Sequence, residues 1–168
     1  NLPISSIIFY KLELLEKLLL SEIEKQSPFD RYSAEIVARE YFAEIRESRK
    51  SSHLDSIIKT ANNYTHFLQP TRVHKSYENT IIRILTNIIM KYYDPEILKF
   101  NVVGFYKDII AVNADIYGVM TCFQPFLNTY VSMYQMAVSP IFERLLELYH
   151  MNCIDERYFY EPIHPMEL

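Results

Sequence analysis

The residues best equipped for chemistry are five histidines (His53, His66, His74, His150 and His164) and two cysteines (Cys122 and Cys153). A tetrahedral zinc site needs four ligands. Only His150 and Cys153 stand at a ligand-like spacing, and two ligands cannot close such a site. No metal and no cofactor is therefore expected. The chain contains no H-E-x-x-H, no G-x-S-x-G, no Walker A loop and no dinucleotide fingerprint. Cys122 lies in the most apolar stretch, where burial raises a thiol's pKa and makes it inert. Asp155-Glu156 and Glu44 with Glu47 are paired carboxylates, but they lack the apolar pocket that splits two pKa values for acid–base work. The residues thus predict a non-catalytic chain. The alternative is an enzyme whose site assembles from distant segments.

Charge gives one further candidate. Arg46, Arg49 and Lys50 close the second expected helix, followed by His53. Arg72, His74 and Lys75 open the fourth, at the opposite end of the third. Cations at a helix C-terminus complement its dipole. The sharper reading makes Arg46, Arg49, Lys50, Arg72 and Lys75 contacts for a phosphate or an acidic peptide. A net charge of −4 with scattered basic residues argues against a nucleic-acid partner.

Aromatic residues supply the strongest functional hint. The chain has 14 Tyr and 10 Phe but no Trp, and aromatics with a polar tip are enriched at protein interfaces. Tyr130, Met133 and Tyr134 in an uncharged region are the expected partner-binding residues, with Tyr158, Phe159 and Tyr160 near the end. The segment Asp155–Pro162 mixes acidic and aromatic residues. It could strap across its own domain or dock on another chain.

These residues have to be positioned by helices. With 168 residues, 49% of them hydrophobic, the chain is long enough for one domain with a substantial core. Only two glycines occur, at 104 and 118, too few for the turns and bulges of strand-rich folds or for phosphate loops. Ile8, Leu12, Leu15 and Leu19 predict a helix over 4–25. Ser33 is the expected N-cap of the next, which turns Ala34, Val37, Ala38, Tyr41 and Ile45 inward and pairs Glu35 with Arg39. Ser51 and Ser52 can cap a third helix carrying Leu54, Ile57, Ile58, Ala61 and Leu68. A fourth, over 71–93, carries Tyr77, Ile81, Ile84, Leu85, Ile88 and Tyr92. Asp94-Pro95-Glu96 predicts a helical turn to Phe100. Asn101 is the expected cap for a helix burying Val102, Phe105, Ile109, Ile110, Val112 and Ile116. Pro125 and Pro140 suit the first turns of two more, the last with Ile141, Phe142, Leu145, Leu146 and Tyr149 inward.

From Ile116 to Phe142 there is no Asp, Glu, Lys or Arg. Gln124, Pro125, Asn128 and Gln135 argue against a membrane span, so this stretch predicts a helix pair at the centre of a core. Lys11, Glu13, Glu16 and Lys17 interrupt the apolar start, which is not a signal peptide. A start at Asn1 without Met reads as an excised domain or a processed product. Two cysteines without a framework fit an intracellular compartment, cytoplasm or nucleus.

The expectation is an all-α, multi-helix bundle of about seven helices around a central apolar helix pair, with short or no β structure. Residues 1–152 would form the bundle and 153–168 an extended tail. Its function would be protein–protein interaction or dimerisation within a regulatory or scaffold protein, the partner being another chain, a helical peptide or a second copy. A helix-in-groove binder of the apoptosis-regulator type is the first alternative; an Ile-, Asn- and Tyr-rich composition would suit a viral one. A segment of an α-solenoid is another.

Overall fold

The computed structural model describes residues 4–26, 28–47, 54–55, 58–63, 77–127, 140–154 and 159–162. The apolar spacing of the first segment is realised as two elements. A 3₁₀ segment, Ile4–Phe9, is followed by helix α1, Leu12–Lys25. The break at Tyr10-Lys11 lets Ile4, Ile7 and Ile8 enter the core together with Leu15 and Leu19. It also interrupts the backbone ladder, and a buried interruption needs other partners. The hydroxyl of Tyr41 supplies them. It donates to the carbonyls of Ile7 and Ile8, 2.9 Å from each, and accepts from the Lys11 N–H at 3.2 Å.

Helix α2, Arg31–Glu47, buries Ala34, Val37, Ala38, Tyr41 and Ile45 on one stripe. It starts earlier than Ser33. The Asp30 carboxylate accepts from Ser33 N at 2.9 Å, and the Asp30 carbonyl accepts from Ala34 N at 3.0 Å. A charged acceptor at the positive end of the helix dipole is the stronger cap. Ser33 is consequently carried inside, where its hydroxyl is buried without a hydrogen-bond partner. Residues 54–55 and 58–63 are helical and bury Leu54, Ile58 and Ala61. Ser51, Ser52 and Leu68 lie outside the described residues.

Helix α3, Tyr77–Tyr92, runs antiparallel to α2. Arg46 near the end of α2 meets Glu78 near the start of α3 at 2.6 Å, while Arg31 and Lys91 line one groove at the other end. Ile81, Ile84, Leu85, Ile88 and Ile89 of α3 are all buried, and its contact with α2 is the most extensive between helices. This helix forms the middle of the core.

Beyond α3 the expected helical turn is a hairpin instead. Strands β1, Tyr93–Asp94, and β2, Lys99–Phe100, pair antiparallel with Tyr93 opposite Phe100 and Asp94 opposite Lys99. Asp94 Oδ1 does accept from Glu96 N at 2.9 Å, as a cap would. Leu98 then takes a left-handed φ of 53°, which ends any helix and reverses the chain.

Asn101 caps helix α4, Val102–Phe105, its side chain accepting from Gly104 N at 2.8 Å. A π-helical turn, Tyr106–Ile110, leads into helix α5, Ala111–Cys122. A π turn inserts one extra residue, and the buried register slips by one. Phe105, Ile109, Asn113 and Tyr117 face inward, whereas Val112, expected inside, is 48% exposed. Helix α6, Pro140–Cys153, begins on its proline and buries Phe142, Leu146, Tyr149 and Cys153. Ile141, in its first turn and one residue off that stripe, is 81% exposed rather than buried. The result is an all-α multi-helix bundle with a two-residue strand pair.

The two glycines allow a test of opposite sign. A Cβ at Gly104 would lie 2.9 Å from Asn101 Nδ2, pushing the capping side chain off its acceptor position, whereas a Cβ at Gly118 would meet nothing within 4 Å. In urea melts, Gly104→Ala should cost about 0.5–2 kcal/mol, as loss of a cap does. Gly118→Ala should add about 0.5–1 kcal/mol. Equal effects would contradict the cap geometry.

Candidate functional site

The uncharged stretch was expected to be buried all round. Its described part, residues 116–127 and 140–142, is one-sided. Tyr117, Met120, Thr121 and Leu127 point into the core. Val119 is 60% exposed and Phe126 53% exposed, with Phe123 also on the outside. Together with Val112 and the half-buried Ile116 they recur in alternate steps of four and three residues: 112, 116, 119, 123, 126. That is the spacing of a helix-docking seam. The slipped register after the π turn is what places them there. Its part on α5, Val112 to Val119, is about 10 Å long at about 1.5 Å per residue, and Phe123 and Phe126 continue it beyond the end of α5 at Cys122. Phe126 stands edge-on to Phe142 with centroids 5.9 Å apart. This contact sets the end of the stripe against the first turn of α6, where Ile141 is exposed.

The structure places the predicted site residues unevenly. Tyr130, Met133, Tyr134 and Tyr158 lie outside the described residues, as do Arg49, Lys50, Arg72 and Lys75. Phe159 is buried within the chain's own core. Three side chains hold backbone carbonyls at Ile154 and in the segment around Phe159. The Tyr77 hydroxyl donates to Ile154 O at 2.7 Å, Lys91 Nζ to Tyr160 O at 2.8 Å, and Asn113 Nδ2 to Glu161 O at 3.0 Å. Residues 159–161 therefore strap across α3 and α5. Tyr160 is half-buried in this strap.

Arg46 is engaged internally. Besides Glu78 it faces Asp55 at 3.6 Å, and its guanidinium lies 5.8 Å from the centre of the Phe42 ring. These partners hold it as a clamp between α2, α3 and the helical residues 54–55.

The Cys122 thiol was expected to be buried and is not. Cys122 is exposed, its thiol donating to Gly118 O at 3.3 Å, whereas Cys153 is buried. Burial pushes the Cys153 thiol pKa well up, which keeps it protonated and unreactive. Among the described residues no three His, Cys, Asp or Glu side chains converge on a point that could hold a metal ion, and no helix is long and apolar enough to cross a membrane. The buried carboxylate of Glu22 is paired with Lys25 at 3.4 Å.

The exposed stripe carried a sequence signal, the alternation of four and three, but it was obscured by the π turn. Phe126 and Phe123 belong to it and were not among the expected partner-binding residues. Compared with known proteins, the chain matches no family model, no curated protein and no solved structure.

Buried tyrosines give the fold a pH dependence, Tyr41 and Tyr92 among them. Burial raises the Tyr41 hydroxyl pKa to about 12. The Tyr92 hydroxyl is pushed to about 12 as well, first by burial and then by Asp108, whose Oδ2 accepts from it at 3.5 Å. In the unfolded chain both titrate near 10.0. The fold thus holds protons that the unfolded chain releases, and this stabilisation is complete below about pH 10 and lost as pH rises toward 12. Thermal melts of Tyr92→Phe between these limits should fall less steeply with pH than those of the wild type. Parallel slopes would contradict the assignment.

Proposed function

We propose that this chain is a non-catalytic protein-interaction domain of a regulatory or scaffold protein, and that it docks an amphipathic helix of its partner along the outer face of α5 and of residues 123–126 that follow it. The observation that supports this reading is the exposed apolar stripe Val112–Ile116–Val119–Phe123–Phe126. Scattered exposed hydrophobics need no explanation, but a contiguous apolar row is a recognised mark of an interaction surface. Its four-and-three spacing matches the knobs of a facing helix. From Ile116 onward it carries no charge, so the partner's contacting face has to be apolar too, with specificity supplied at the edges by Asp108 and Asp115. Aromatic rings such as Phe123 and Phe126 anchor interfaces well, because they bury much area at low entropic cost.

Val119→Asp tests this. The side chain is exposed, so the substitution should change stability by no more than about 0.5 kcal/mol, which circular-dichroism melts verify. A buried unpaired carboxylate in the interface should weaken binding at least about tenfold. Wild-type chain used as bait should retain a helical partner that the variant loses; self-association seen by light scattering and lost in the variant would identify that partner as a second copy. A wild-type chain that stays monomeric and retains nothing the variant fails to retain would overturn the reading.

A further inference from the structure

Phe159, Tyr160 and Glu161 lie across α3 and α5, and the bundle grips their backbone. Lys91 Nζ donates to Tyr160 O at 2.8 Å and Asn113 Nδ2 to Glu161 O at 3.0 Å. One side chain is taken up whole, Phe159 at 1% exposure, while Tyr160 is half-buried and Glu161 and Pro162 face outward. Folded domains recognise short peptides by these means. Hydrogen bonds to the main chain supply affinity, and a pocket for one side chain supplies specificity.

The host side of the contact is shaped for it. Asn113 is 1% exposed, and burying an amide is costly unless its hydrogen bonds are made. The π turn Tyr106–Ile110 is what brings Asn113 inward, with Val112 left outside in exchange; π turns are frequent at functional sites. Lys91 is positioned from its own helix, its ammonium 5.6 Å from the centre of the Tyr92 ring.

The gripped segment is also separable from the helix before it. Cys153 and Ile154 are buried, Ile154 N donates to His150 O at 3.0 Å, and the Tyr77 hydroxyl holds the Ile154 carbonyl at 2.7 Å. Four residues, 155–158, stand between that anchor and Phe159. Phe159–Glu161 can therefore leave the groove without unwinding α6. A ligand on so short a link acts at an effective concentration on the order of millimolar, so the identical segment of a second copy competes poorly with it. A ligand from outside has to bind better, and there is room for it to do so. Beside the segment a depression of about 450 Å³ is lined by Arg31, Asn87, Met90 and Lys91 together with Tyr160 and Glu161, and Met90 is partly exposed.

We propose that the groove between α3 and α5 is a peptide-binding site, that Phe159–Glu161 occupies it as a tethered internal ligand, and that a phenylalanine-bearing segment of another protein displaces it. The incoming phenylalanine takes the place of Phe159, and the carbonyls after it accept from Lys91 and Asn113. A neighbouring apolar side chain covers Met90, a contact that gives the outside ligand its advantage. This site is separate from the apolar row on α5 and does not depend on it.

The test uses the full chain, with a fluorescein-labelled peptide of the sequence 155–162 as probe and anisotropy as readout. Phe159→Ala removes the internal anchor and should bind the peptide with a dissociation constant on the order of 100 μM or tighter. The wild type should bind it at least about tenfold more weakly, because its own segment holds the site. A peptide with alanine in place of the phenylalanine should lose at least about tenfold. Lys91→Met added to Phe159→Ala should lose at least about threefold, whereas Val119→Asp added to it should change nothing. Peptides selected from a random library on the wild-type chain should share a phenylalanine and compete with the probe. Melting curves check that each variant folds, and Phe159→Leu, which keeps an apolar side chain in the core, replaces the alanine variant if that one does not. No binding to the Phe159 variant, or equal binding to it and to the wild type, would overturn the proposal. A wild-type dimer that is lost in the Phe159 variant would assign the groove to a second copy and overturn the claim for another protein.

Discussion

A single hydroxyl closes the junction on which the bundle is assembled. Where the 3₁₀ segment ends and α1 begins, the carbonyls of Ile7 and Ile8 and the half-buried N–H of Lys11 meet one side chain, and Ile7 O also accepts from Tyr10 N at 3.0 Å. The Tyr41 hydroxyl bonds all three, its single hydrogen shared between the two carbonyls while its oxygen accepts from Lys11 N. Because it belongs to α2, it also fixes how far along that helix the chain's first turns sit. Lys11 reinforces the register by donating from Nζ to Glu44 O at 3.2 Å. Leaving such groups unpaired in a buried place costs more than the hydrogen bonds themselves contribute. The fully buried Tyr41 ring contributes packing to the same place. Ile4, Ile7 and Ile8 can then lie in the core that α2 and α3 build between them.

From this junction outward, most polar side chains in the interior are engaged in holding the chain to itself. Tyr77 holds the Ile154 carbonyl just past α6, Lys91 and Asn113 hold carbonyls of the last described segment, and Arg46 joins α2 to α3. Among the described residues, the row from Val112 to Phe126 keeps apolar side chains facing outward in a regular pattern, with only its end, Phe126, set against Phe142.

Much of the frame was legible in the amino-acid order. Periodic apolar residues located α2 and α3, Asn101 was recognisable as a cap, and Pro140 marked the start of α6. What escaped had physical causes that no single-residue preference reveals. Ser33 and Asp30 are both good caps, and the charged one won because the helix dipole favours it. Asp94 caps as expected, yet Leu98 adopts a left-handed conformation that a leucine seldom takes, and the turn became a hairpin. The π turn at Tyr106–Ile110 leaves no mark in composition, but it shifts every later residue of that helix by one position. That shift turned Val112 outward and Asn113 inward. It placed Val112, Val119, Phe123 and Phe126 on the outside, while the expected Tyr130, Tyr134 and Tyr158 lie outside the described residues. The role of Tyr41 was visible only as that of an inward aromatic, since nothing in the sequence says where a hydroxyl ends.

The most direct test of this construction is the stability of Tyr41→Phe, which removes one oxygen and leaves the ring in place. Urea denaturation should show a loss of about 1–3 kcal/mol, the cost of stranding buried backbone groups, and amide exchange should lose protection selectively at Lys11. A variant as stable as the wild type, with Lys11 still protected, would mean that the junction closes without the hydroxyl and that the bundle is not assembled around it.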